Sequence, residues 1–144
     1  MIESDTIKLM RECDAGIKMG VKSIDDVIDH VYSKEFKKLL NRCKDEHEEL
    51  DHELQELLDQ YGDEGKNPSI IAEGMSKMKT GIMLTVKDTD ETIADLMTDG
   101  CNMGVKSLSK YLNKYAAADE RSKDICKRLI KLEDQLATEI RLFL

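Results

Sequence analysis

Apolar side chains recur along this chain at alternating spacings of three and four, the signature of long amphipathic helices. One seam, within about 5–32, reads Thr6, Met10, Cys13, Ile17, Gly20, Ile24, Val27 and Val31, widened by Val21 and Ile28. A second, over about 34–61, reads Phe36, Leu40, Cys43, His47, Leu50, Leu54, Leu57 and Tyr61, with Ser33 as its N-cap and Gly62 as its stop. Two helices this long with so short a connection fold back antiparallel. The polar loop 63–68 ends in Asn67-Pro68, a cap followed by a first-turn proline. It opens a shorter helix carrying Ile71, Met75, Met78 and Ile82, which fades near Lys87. Asp88 with Glu91 marks a fresh start, and Ala94, Met97, Cys101, Gly104, Leu108, Tyr111 and Tyr115 form the seam of about 89–115. The last helix, from about 118, carries Ser122, Ile125, Leu129, Leu132, Leu136, Ile140 and Phe143.

An internal repeat organises these segments. Met-Gly-Val-Lys-Ser occurs at 19–23 and again at 103–107, an offset of 84 that also lays Gly16 on Gly100 and Ile24 on Leu108. The second and last helices match at an offset of about 82, which lays Asp51 on Glu133 and Leu50 on Leu132. The chain therefore reads as one domain made of two copies of a helical hairpin, 5–61 and 89–143. The unmatched stretch 68–87 rises nearly 30 Å as a helix, enough to carry the chain from one end of a bundle to the other. Two hairpins with a long crossover describe the ferritin-like form of the four-helix bundle. The fold expected is all-α and ferritin-like, two repeated hairpins with a crossover helix.

Composition agrees with helices and limits the partners. Charged residues make up 36% of the chain, Trp is absent and Pro occurs once, which argues against a sheet protein. The formal charge of −8 makes nucleic acid and anionic membranes poor partners. The start of the chain shows no basic and apolar leader, and no run approaches a membrane span, so a cytoplasmic location is expected. Four cysteines, Cys13, Cys43, Cys101 and Cys126, lack zinc-ribbon spacing. Heights along the helices bring Cys13 level with Cys126 and Cys43 level with Cys101, which makes the cysteines redox candidates. Met19 and Met103 face outward in both copies and suggest a homodimer patch.

Cys13-Asp14-Ala15-Gly16-Ile17, then Glu46-His47-Glu48-Glu49-Leu50 leading to Leu57-Leu58 and Gly62, resemble small bacterial ferritin-like proteins of unassigned function. Ala72-Glu73-Gly74-Met75 and the second hairpin resemble the same group, so the resemblance spans the whole chain. It implies the ferritin-like fold.

A ferritin-like di-metal centre takes one carboxylate from each of two helices and Glu-x-x-His from each of the other two. Glu49-Leu50-Asp51-His52 fits that pattern by letter, but the helical wheel points Glu49 and His52 away from the seam, and His30 lies on an outer face. Three histidines are too few for haemerythrin-type iron. His47 differs, because it sits where the seam elsewhere holds Leu or Cys. With Asp51 one turn on, Glu133 on the last helix and Asp14 on the first, it forms a sparse candidate site for Fe, Mn or Zn. The alternative at the same residues is a hydrogen-bonded polar pair inside the bundle. Gly16, Gly20, Gly100 and Gly104 are read as a close approach of the first and fourth segments, since each glycine costs about 1 kcal/mol within a helix.

No nucleophile elbow or phosphate-binding glycine loop is present. The function expected is that of a non-enzymatic ferritin-like protein, a stress-related or association module with a degenerate metal site. The alternative is a metal-binding protein using His47, Asp51, Glu133 and Asp14.

Overall fold

The computed structural model describes residues 4–68 and 89–144. Four long helices account for most of them: α1 (Ser4–Ile28), α2 (Lys34–Gln60), α3 (Asp90–Lys114) and α4 (Glu120–Glu139), with a closing 3-10 turn at Ile140–Phe143. The fold is an all-α four-helix bundle. The expected crossover at 68–87 and the start signal at Asp88 lie outside the described residues, Pro68 excepted.

The starts of α2, α3 and α4 are each explained by a side chain that satisfies an orphan backbone amide. Ser33 Oγ accepts from Phe36 N at 3.2 Å, Thr89 Oγ1 accepts from Thr92 N at 3.2 Å, and Asp119 Oδ1 accepts from Ser122 N at 2.8 Å. The cap of α3 is thus Thr89. Helix α2 ends at Gln60, and the φ of 66° at Gly62 lets Asp63 N reach back to Leu58 O at 2.9 Å.

Hydrogen bonds at the two ends set the direction of every helix. At one end, Asp119 N donates to Thr6 Oγ1 at 2.8 Å and Tyr61 OH donates to Asp119 Oδ2 at 3.0 Å. At the other end, Tyr32 N and Ser33 N donate to the Asp90 carboxylate at 2.8 and 2.9 Å, and Phe36 stacks on Phe143 with ring centres 4.5 Å apart. Helix α1 packs on α2 and α3, and α4 packs on α3 and α2. All four of those pairs are antiparallel, while α1 and α4 run the same way and meet across the middle. It follows that α2 ends and α3 begins at opposite ends of the bundle. After Gly62 the chain turns back beside α1: Asp63 pairs with Arg11 at 2.6 Å, Lys66 N reaches Asp14 at 2.8 Å, and Asn67 meets Lys18 at 3.3 Å.

The apolar core comes in two halves. One holds Leu9 to Ile17 of α1, Leu50 to Leu58 of α2, Leu108 of α3 and Ile125 to Leu129 of α4. The other holds Ile24 to Val31, Phe36 to Cys43, Ile93 to Cys101 and Leu136 to Ile140. Between them runs a layer to which each helix gives one residue.

Candidate functional site

That central layer consists of Gly20, His47, Gly104 and Glu133. Each lies on its helix between the residues of one core half and those of the other. Two glycines leave the room that two long polar side chains fill. A Cβ on Gly20 would stand 2.9 Å from His47 Nε2 and 3.4 Å from Glu133 Oε1, and one on Gly104 would stand 3.5 Å from Glu133 Oε2. The sequence offset of about 82 between the second and last helices and an offset of 86 both lay buried positions on buried positions. His47 and Glu133, which meet in this layer, stand 86 residues apart, as do the N-caps Ser33 and Asp119.

The four glycines do not act alike. Gly20 is tight, Gly16 and Gly104 make ordinary contacts, and Gly100 is exposed with open space where its Cβ would be. The close approach expected of all four belongs to Gly20, and what approaches it is an imidazole.

His47 is almost wholly buried and uses both ring nitrogens. Nδ1 lies 2.7 Å from the Cys43 carbonyl oxygen, which can only accept, so Nδ1 carries a hydrogen. Nε2 lies 2.7 Å from Glu133 Oε1. Burial works against a charged imidazolium, but the hydrogen bonds to Cys43 and Glu133 and the charge of Glu133 outweigh it, pushing His47 up to about 10. At neutral pH the ring is therefore held as imidazolium against Glu133. The Cys43 sulfur lies 3.5 Å from Nδ1, and Cys101 neighbours Glu133, its thiol pushed up by burial and by that carboxylate.

Asp14 and Asp51 belong to a separate network. Gln55 Nε2 bridges them, 2.9 Å from Asp14 Oδ1 and 3.2 Å from Asp51 Oδ1. Asp14 is fully buried, and its other oxygen takes the Lys18 ammonium at 2.9 Å and the Lys66 amide at 2.8 Å. The lysine therefore supplies the cation there. Asp51 opens on the groove between α1 and α2, beside Lys18 and Glu48. Of the four candidate ligands, the bundle joins His47 to Glu133 and Asp14 to Asp51 through Gln55, and among the described residues the two pairs share no hydrogen-bond partner. Among the described residues, no three His, Cys, Asp or Glu side chains are grouped to hold a metal ion. Nε2, the nitrogen left for a metal once Nδ1 donates, is closed off by Glu133.

Glu49, His52 and His30 are exposed. All four cysteines are buried free thiols. The neighbouring Cys126 thiol, together with burial, pushes Cys13 well up, and Cys126 itself donates to Leu108 O at 3.7 Å. Sequence reasoning did not single out Gln55, the Lys66 amide or the Cys43–His47 contact. The last was available in principle, since residues four apart share a helix face. No described helix is long and apolar enough to cross a membrane.

A family model described as a domain of unknown function (DUF2383) matches residues 5–114. Gly20, His47 and Gly104 fall inside the match and Glu133 beyond it. No curated protein and no solved structure matches the chain.

Proposed function

We propose a function on one premise: the chain belongs to the family described as a domain of unknown function (DUF2383), so its role has to be read from its own residues. It is a non-enzymatic ferritin-like bundle that acts by association, with a degenerate centre where an ion pair stands in place of bound metal. The observation that carries this reading is the closure of the central layer. His47 and Glu133 bond each other at 2.7 Å under Gly20, and among the described residues no buried side-chain nitrogen or oxygen lacks a partner. A catalytic metal centre keeps an open coordination position for its substrate, and this layer is filled by its own side chains. Exposed Met103 and Leu142 supply apolar contact points on a strongly acidic surface, which supports self-association or binding to another protein.

Elemental analysis of protein purified without chelator tests the centre. The expected result is less than stoichiometric Fe, Mn and Zn, unchanged in His47→Ala. Near-stoichiometric metal that His47→Ala removes would establish the metal-binding alternative instead. Light scattering over a concentration series, with and without cell extract fractions, tests association. A strict monomer that retains no partner would end that half of the reading.

A further inference from the structure

Cys43 differs from the other three cysteines in reach. It lines a shallow depression of about 10 Å³ between α2 and α4, with Leu39, Arg42, Leu132, Leu136 and Glu139 around it. That holds one water-sized group, and because the depression is half open to solvent the far end of a slightly longer molecule stays outside it. Cys43 keeps 5% of its surface exposed, against 0% for Cys13 and Cys126 and 2% for Cys101. Arg42 on the rim is paired with both Glu139 and Glu46, so the rim carries one carboxylate in excess and does not draw in anions. What fits is small and neutral.

The same sulfur lies 3.5 Å from His47 Nδ1, and the far nitrogen of that ring is held by Glu133 at 2.7 Å. A thiol, an imidazole and an orienting carboxylate in sequence are the parts of an activated cysteine. Here Nδ1 already carries hydrogen, shared between the Cys43 carbonyl and the sulfur, so the ring steadies negative charge on sulfur by donating to it.

We infer that Cys43 is a modification site for hydrogen peroxide and similarly small hydroperoxides, which oxidise it to a sulfenic acid, with His47 as the positioning residue. The Cys43 sulfur attacks one peroxide oxygen, the sulfur–oxygen bond forms as the oxygen–oxygen bond breaks, and the departing hydroxide takes up the thiol proton. Thiol plus hydrogen peroxide gives sulfenic acid plus water; sulfur loses two electrons and the peroxide gains them. Bulkier oxidants such as glutathione disulfide do not fit the depression. This inference rests on His47 and Glu133 being free of metal, as proposed above.

The test is exposure of the full chain to hydrogen peroxide with a dimedone trap, read by peptide mass mapping after metal content has been measured on the same sample. Bound metal counts against the proposed function; labelling of metal-free protein decides the inference. Cys43 is expected to be labelled about tenfold faster than Cys13, Cys101 or Cys126, and equally in all four once the chain is unfolded in urea. Even labelling of the folded chain would overturn the inference. In His47→Gln, Cys43 alone is expected to slow, by about tenfold. A purely structural histidine would, on removal, loosen the core and speed labelling at all four, and that result would overturn the assignment to His47. The wild-type comparison decides the matter if His47→Gln does not fold.

Discussion

His47 Nε2 stands 2.7 Å from Glu133 Oε1, and a Cβ on Gly20 would stand 2.9 Å from that nitrogen and 3.4 Å from that oxygen. The imidazole and the carboxylate thus meet over the backbone of Gly20, while Gly104 faces the Glu133 side chain alone. This turns the repeated glycines, equivalent by sequence, into positions with different tolerances.

Gly20→Ala is expected to destabilise and Gly100→Ala to stabilise. Alanine gains about 1 kcal/mol of helix propensity at either site. At Gly20 the new methyl forces His47 off its hydrogen bonds or the helices apart, an overpacking cost of about 1–3 kcal/mol. At Gly100 the space is open and nothing offsets the gain. Urea unfolding at matched slope gives the comparison, and midpoints moving the same way in both variants would refute it.

Removing one member of the central pair is expected to cost far more than removing both. His47→Leu alone strands the Glu133 carboxylate in the layer, a loss of about 3–5 kcal/mol, and Glu133→Leu alone strands the imidazolium. The double variant puts two apolar side chains between two apolar core halves and recovers most of that loss. A double-mutant cycle from denaturant midpoints measures the coupling. Additive single losses would mean that the two groups do not depend on each other.

The reach of sequence reasoning follows from the same geometry. Helix periodicity located the seams, because burial on one face is a local property: Leu40, Leu54, Ile17 and Leu129 are all fully buried or nearly so. The offset of 84 between Gly20 and Gly104 was legible because α1 and α3 carry the same pentapeptide. The spacing of 86 that joins His47 to Glu133 and the cap Ser33 to the cap Asp119 was not, since these pairs are unlike in chemistry. His47 stood out as a polar residue on an apolar seam, and Glu133 as its partner. That Asp14 would be tied to Gln55 and a loop amide depended on where residues 63–67 run, which no helical period encodes.

Stability is expected to decline with alkalinity because of His47. Its pKa is raised from the ordinary 6.5 to about 10 in the folded chain, so over that interval the folded state holds a proton the unfolded chain releases. The contribution is complete below pH 6.5 and lost by about pH 10. Lys44, Lys66 and Tyr61 are also shifted up, so the wild-type slope must be compared with that of a His47→Gln variant. The difference between the two slopes should fall through this window. An NMR titration of the His47 ring should likewise show no midpoint near 6.5, and finding one there would contradict the buried ion pair.

Asp14 is expected to anchor the segment that follows α2. It is fully buried, and its carboxylate collects the Lys66 amide, the Lys18 ammonium and the Gln55 amide group, all within 2.9 Å. The chain reaches that amide through Gly65, whose φ of 81° and contact with Asp14 leave no place for a side chain. Asp14→Ala removes the acceptor from three donors and is expected to cost about 1–3 kcal/mol. Asp14→Asn keeps one oxygen and should lose less, while Gly65→Ala should resemble Asp14→Ala because it breaks the same approach from the loop side. The decisive readout is local. Hydrogen exchange at the Lys66 amide should quicken in Asp14→Ala and Gly65→Ala while amides around His47 keep their protection, because among the described residues the two networks share no hydrogen-bond partner. Equal quickening in both places would show that the Asp14 and His47 clusters form one cooperative unit.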